Sequence, residues 1–139
     1  MKQPMNIAIA AMIRKGRVLL SFRDEAQHQG GRWELPGGKC EGDELPFQAL
    51  QRELKEELGV TAQVPEQPWR TLQFDYPDRT VRLHAYWIER WQGQPEGCEG
   101  QALQWADAEA LSELSFPKAN APITRALIDR LNGGTEHAA

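Results

Sequence analysis

Residues 36–60 read PGGKCEGDELPFQALQRELKEELGV, and the pattern changes character at Leu45. Pro36-Gly37-Gly38 punctuates the chain and cannot lie mid-helix, so the Gly-rich, polar stretch 28–44 reads as a loop. From 45 to 58 the apolar residues Phe47, Leu50, Leu54 and Leu58 fall on one helical stripe, Pro46 is tolerated in the first turn, and Gly59 marks the stop. The spacing predicts a helix over 45–58. Positions three and four apart share a helix face, so Glu53, Glu56 and Glu57 project to one side, while Arg52 and Lys55 lie progressively off it. Such crowding costs a few tenths of a kcal/mol per like-charged pair and gains nothing until something positive arrives. Taken alone, three glutamates on a helix are most often a solvated acidic face. The functional alternative is a divalent-cation site. Mg²⁺ takes oxygen ligands and shares itself between carboxylates and substrate phosphates, and glycines ahead of the helix let main-chain groups approach a metal or phosphate closely.

Working outward, residues 6–13 and 17–22 are short apolar runs around Lys15-Gly16 and read as a hairpin. Beyond the helix, 69–76 and 80–91 read as two longer strands, the second alternating Val81, Leu83, Ala85 and Trp87, with Tyr76-Pro77-Asp78-Arg79 as the turn. Gln101–Trp105 is a further short strand and 107–114 a short helix. Residues 120–131 carry Ile123, Leu127, Ile128 and Leu131 at helical spacing, and the tail from Gly133 is expected to fray. Strands flanking two well-separated helices predict an α/β sandwich, one domain over 1–132 with a disordered tail at 133–139.

The 139 residues have room for one domain with a core. The fractions of 40% hydrophobic and 26% charged residues are those of an ordinary globular chain, and no apolar run is long enough to span a bilayer. Met1-Lys2-Gln3-Pro4 leads into a stretch interrupted by Arg14 and Lys15, without a secretory cleavage pattern, and a cytoplasmic address is expected. A net charge of −4 disfavours a large phosphate-backbone footprint, and with it a nucleic-acid polymer as main ligand or a repair protein acting directly on duplex. Cys40 and Cys98 lack paired metal-ligand spacing and read as free thiols.

Gly38, Glu44, Arg52, Glu53, Leu54, Glu56, Glu57, Gly59 and Val60 resemble the Nudix box over residues 38–60. With residue frequencies of about 5–7%, its seven specified residues at fixed offsets arise by chance less than about once in ten million starting points. Similarity to the MutT branch of the Nudix hydrolases extends over most of the chain. It is carried by Arg23, His28, Leu35-Pro36-Gly37-Gly38-Lys39, Tyr76-Pro77-Asp78-Arg79, Glu89-Arg90-Trp91, Glu99-Gly100-Gln101 and Phe116-Pro117-Lys118-Ala119-Asn120. The resemblance implies the Nudix fold, a mixed β-sheet sandwiched between helices (α/β/α), with the box as catalytic platform. It implies a Mg²⁺-dependent hydrolase, with Mn²⁺ as substitute, that cleaves a nucleoside triphosphate to monophosphate and pyrophosphate by water attack at the β-phosphorus. The implied metal ligands are Glu53, Glu56, Glu57, Glu99 and the main-chain carbonyl of Gly37 or Gly38. Arg52 would orient Glu53, Glu44 would stabilise the box loop with Gly59 capping the helix, and Glu53 leads Glu99 as general base.

In the MutT branch 8-oxoguanine is selected, which makes members house-cleaning enzymes that keep an oxidised nucleotide from DNA replication. Asn120 matches the position that meets the purine edge. Oxidation turns N7 from acceptor to donor, so one amide accepts from N7–H and donates to O6, whereas ordinary guanine leaves the amide oxygen facing a lone pair. The same resemblance places Arg23, His28, Glu34, Leu35, Pro36, Gly37, Lys39 and Asp78 against the nucleotide. Leu35 departs from the branch where a Phe would pack near the base, and Cys98 departs ahead of Glu99. Gly31-Arg32-Trp33-Glu34 and Gln101-Ala102-Leu103-Gln104-Trp105 also look like the CTP-cleaving relatives, which leaves a pyrimidine nucleotide pyrophosphohydrolase as the alternative. A non-catalytic nucleotide-binding module is expected to lose box carboxylates or Arg52, and none is lost. The expected partner is a small nucleotide, with no membrane, and the expected state is a monomer.

Overall fold

The computed structural model describes residues 4–23, 31–114 and 121–133, with Arg23 described by its main chain alone. Strand β1 (Met5–Arg14) turns at Lys15-Gly16 into β2 (Arg17–Arg23), with Arg14 opposite Arg17. Both turn residues have positive φ, 52° and 74°, the backbone twist that suits a two-residue hairpin. Two very short strands, β3 (Arg32–Glu34) and β4 (Gly37–Lys39), precede helix α1 (Pro46–Leu58). Then come β5 (Thr61–Ala62), β6 (Arg70–Tyr76), β7 (Arg79–Ile88), β8 (Trp91–Gln92), β9 (Leu103–Ala106), α2 (Ala108–Glu113) and α3 (Ala121–Leu131).

The main sheet runs β3-β2-β1-β7-β6, with β4 also on β1 and β9 also on β2. It is mixed, because β1 and β7 run parallel from Met5 beside Val81 to Met12 beside Ile88, while among the described residues its other strand pairs are antiparallel. The other edge of β1 is divided between β4 at Ile7–Ile9 and β2 at Ile13–Arg14. A central strand buried on both faces should read as nearly continuous apolar sequence, and β1 does. Ala8, Ala10 and Met12 pack under Leu50, Leu54 and Leu58 of α1, all three leucines fully buried. Ile9 and Ala11 face the opposite core, with Leu111 of α2 and Ile123 and Leu127 of α3. Helices therefore cover both faces, the expected α/β/α arrangement. Removing one of these leucines to alanine would cost about 2–5 kcal/mol.

The structure departs from the sequence reading where local signals are weakest. The stretch 28–44 is not all loop, since β3 pairs with β2 and β4 with β1 across the Pro-Gly-Gly punctuation. The strand expected over 80–91 ends at Ile88 and resumes as β8, paired with β5. The strand expected at 101–105 is Leu103–Ala106, leaving Gln101 outside the ladder. Cys40 and Cys98 are free. Among the described residues no helix is long and apolar enough to cross a membrane.

Candidate active site

The site is built where α1 lies against β4. Gly37 has φ 151°, and a Cβ there would collide with the Ala8 carbonyl, so only glycine lets this strand press onto β1. At Gly38 a Cβ would sit 2.5 Å from the carboxyl carbon of Glu53, so its absence lets an α1 carboxylate rest on the strand. The Gly37 N–H donates to Glu57 Oε2 at 3.1 Å. The helix carrying these groups starts with Leu45 in extended conformation, whose N–H donates to Gln48 Oε1, and Pro46 follows in the first turn. It ends on Gly59 at φ 72°, whose N–H donates to the Lys55 carbonyl.

Arg52 is the hub. Its Nε and Nη2 donate to Glu44 at 2.8 and 3.0 Å, and Nη2 also reaches the Lys39 carbonyl at 3.0 Å. Nη1 donates to Glu53 Oε1 at 2.9 Å and Glu56 Oε1 at 3.1 Å. Helical angles set Arg52 off the acidic face, but the long side chain carries its fork back to it. The guanidinium holds Glu44 below the ordinary carboxylate range, helped by the Glu41 N–H that Glu44 accepts at 2.9 Å. These contacts join Glu53 and Glu56 on one Nη1, and the three helix glutamates differ instead in exposure. Glu56, with half its side chain exposed, pairs outward with Arg52 one turn before it. Glu53 and Glu57, likewise one turn apart, face inward.

Those two are strained electrostatically. Burial, with neighbouring Glu53 and Glu99 and weakly Glu34, pushes Glu57 up to about 8 despite the Gly37 N–H. Glu53 is raised as well, first by burial and then by Glu56 and Glu99, with Arg52 opposing. Glu34, Glu53, Glu57 and Glu99 thus share one neighbourhood from three different stretches of chain, β3, α1 and the loop after β8. Glu99 is brought there by a loop docked on the end of α1, where the Glu96 N–H donates to the Leu58 carbonyl and the Cys98 N–H to that of Glu57. An excess of part-buried carboxylate oxygen beside bare glycine backbone suits a hard divalent cation. Among the described residues no group of three or more His, Cys, Asp or Glu side chains is placed to hold a metal ion as it stands.

The other expected contacts are scattered. Leu35 is 7% exposed and packs in the core beneath α2 and α3, and Pro36, also buried, accepts from the Ala10 N–H through its carbonyl. The Lys39 side chain is exposed, and Asp78 is exposed at the two-residue β6–β7 turn. By register, Lys39 and that turn lie toward the same end of β1. Arg23 pairs through its main chain with Arg32. The side chain of Arg23, His28, the Phe116–Asn120 run with Asn120, and the tail after 133 lie outside the described residues.

The site is thus a glycine-backed carboxylate cluster held by one arginine, on a helix against a mixed sheet. The chain belongs to the Nudix family, whose domain model matches residues 8–126. Members of this family generally use a divalent metal. The chain is 39% identical over 106 residues to the 8-oxo-dGTP diphosphatase of Escherichia coli K12, covering 76% of this chain and 81% of that one. It is 38% identical over 121 residues to a CTP pyrophosphohydrolase of the same organism, covering 86% and 89%. The solution structure of the E. coli ORF135 protein superposes with a TM-score of 0.80 at 35% identity, covering 91% of this chain and 90% of that one.

Proposed function

We propose that this protein is a Mg²⁺-dependent nucleoside triphosphate pyrophosphohydrolase, with Mn²⁺ as substitute, that converts 8-oxo-dGTP to 8-oxo-dGMP and pyrophosphate. The observation that carries this reading is the inward pair Glu53–Glu57, raised in pKa and set against Gly37-Gly38 with Arg52 behind it. Glu53, Glu56, Glu57, Glu99 and the carbonyl of Gly37 or Gly38 would hold the cation. When bound, it supplies positive charge to the triphosphate and to the water that attacks the β-phosphorus. Arg52 fixes the Glu53 carboxylate, which takes the proton of that water, with Glu99 as second candidate base. Glu56 pairs with Arg52 in this structure and would have to turn inward to serve as a ligand. Arg23, His28, Glu34, Lys39 and Asp78 bind the nucleotide, the buried Leu35 and Pro36 back that surface from the core rather than touching the ligand with their side chains, and Asn120 reads N7–H and O6 of the oxidised purine. The enzyme acts as a monomeric single domain in the cytoplasm.

The similarity to a CTP pyrophosphohydrolase over most of the chain favours a second reading, in which the same chemistry is applied to a pyrimidine. The deciding measurement is kcat/KM over 8-oxo-dGTP, dGTP, dATP, CTP and dCTP with Mg²⁺. The proposal expects 8-oxo-dGTP to lead dGTP by more than about tenfold. A lead for CTP or dCTP replaces it with the pyrimidine reading, and no turnover of any triphosphate overturns both.

A further inference from the structure

Helix ends leave carbonyls without partners inside the helix. At the end of α1 the carbonyl of Leu58 is taken by the Glu96 N–H at 3.0 Å, and that of Glu57 by the Cys98 N–H at 3.0 Å. These are main-chain contacts that any sequence can make. The Glu57 carbonyl has a second partner that only one side chain supplies, Nε2 of Gln101, donating at 3.0 Å. The other end of the same amide, Oε1, accepts the main-chain N–H of Glu99 at 2.9 Å. One side chain thus bridges the residue that carries the inward Glu57 carboxylate and the residue that carries Glu99. The loop is shaped to permit it. A Cβ at Gly97 would run into the Gln101 carbonyl and lie 3.3 Å from Gln101 Oε1. Gly100, at φ 80°, reverses the chain so that its N–H reaches the Gly97 carbonyl at 2.9 Å.

We infer that Gln101 is a positioning residue: through its paired contacts to the Glu57 carbonyl and the Glu99 N–H, it holds the Glu99 carboxylate over the inward pair Glu53–Glu57. The inference rests on the proposal that Glu99 serves the cation site. The task requires a donor and an acceptor at fixed separation, which an amide has. A carboxylate of the same length offers only acceptors to a carbonyl at the negative end of a helix, and methionine of similar length offers neither a strong donor nor a strong acceptor. This explains why Gln101 lies outside the strand that the sequence pattern assigns to it.

Wild type, Gln101→Met, Glu99→Gln and the double variant form a cycle that isolates the coupling. Each protein is titrated with Mg²⁺ alone, followed by the rise in Tm, and assayed for kcat and KM at limiting and saturating Mg²⁺. Groups that orient a metal ligand typically change metal affinity by 10–100-fold, so Gln101→Met should weaken apparent Mg²⁺ affinity about tenfold. Its kcat should recover at saturating Mg²⁺, and its Tm in EDTA should stay within about 4 °C of wild type. In the Glu99→Gln background the same change should add less than about twofold, because the group it positions is gone. An equal loss in both backgrounds overturns the positioning role while leaving Glu99 in the site. Unchanged Mg²⁺ affinity in Glu99→Gln removes Glu99 from the site, and the inference with it. If Gln101→Met does not fold, Gln101→Ala, which removes both contacts without adding charge beside the site, carries the same cycle.

Discussion

Two arginines at different places in the fold are used in opposite ways. Arg52 sits among carboxylates and spends its donors on Glu44, Glu53, Glu56 and the Lys39 carbonyl. Arg14, at the end of β1, lies 4.6 Å from the ring centre of Trp91 and 5.4 Å from that of Trp105, two rings stacked 6.1 Å apart at 18°. Around Arg14 the guanidinium lies over two indole rings, and the result is packing. Around Arg52 one cation meets several carboxylates, and burial first, with neighbouring glutamates second, keeps Glu53 and Glu57 raised in pKa. The aromatic region holds one exposed cation over two rings and leaves the Trp91 indole N–H unpartnered among the described residues, whereas the Arg52 region gathers part-buried carboxylates around its cation.

The largest expected effect breaks the carboxylate region. Glu53→Gln should lower kcat by about 10²–10⁴-fold, the range for losing a general base, while Tm in EDTA stays level or rises because a crowded charge has gone. Retention of more than about a tenth of the wild-type rate would remove Glu53 from the base role.

Next comes base choice, which the comparison leaves open. Asn120→Ala should cost about 2–4 kcal/mol in kcat/KM for 8-oxo-dGTP, the sum of two hydrogen bonds in a desolvated pocket, and almost nothing for dGTP. Parallel losses on the two substrates in steady-state kinetics would count against an Asn120 reading of N7.

Proton linkage sharpens the contrast further. Glu57 titrates near 8 when folded, against an ordinary value of 4.5. Between those pH values the folded protein keeps a proton that the unfolded chain has released, so metal-free stability should fall as pH rises through the window and level off above it. Thermal melts in EDTA across pH 5–9 check this. The slope should flatten in Glu57→Gln, and the Tm gain on adding Mg²⁺ should be larger at pH 8 than at pH 6, because cation and proton compete. A slope unchanged by the substitution would show that another group titrates.

The smallest effect belongs to the aromatic region. Arg14→Met should lose ~0.5–1 kcal/mol, the worth of an exposed cation–π contact, and leave kcat and the Mg²⁺ requirement alone. Denaturant unfolding with parallel kinetics tests it, and a change in the Mg²⁺ requirement would mean that the two regions are coupled.

Much of the candidate site was legible because it is local. The leucine stripe, Pro46, Gly59 and the spacing of Glu53, Glu56 and Glu57 sit within one helix, where 3.6-residue periodicity converts sequence distance into direction. The same rule does not show that the Arg52 fork returns to that face, because a long side chain ends several ångströms from where its Cα points. Glu99 was reached only by resemblance, as nothing in its neighbourhood marks a loop glutamate as a partner of Glu57.

By itself the sequence determined the helix of the box, the hairpin at Lys15-Gly16, the two-faced apolar character of β1 and the excess of acid on α1. Each depends on neighbours within about one or two turns or strand repeats, where backbone geometry is set by residue type. Only the tertiary structure decided that Gly37–Lys39 is a strand, that β1 runs parallel to β7, that Glu53 and Glu57 turn inward while Glu56 turns out, and that Gln101 leaves its strand to bridge Glu57 and Glu99. Those outcomes depend on which unpaired main-chain groups and charges meet across long stretches of chain. Gly37 pairs with Ile9 because a strand edge is free there and no Cβ stands in the way, a fact about β1 as much as about the glycine.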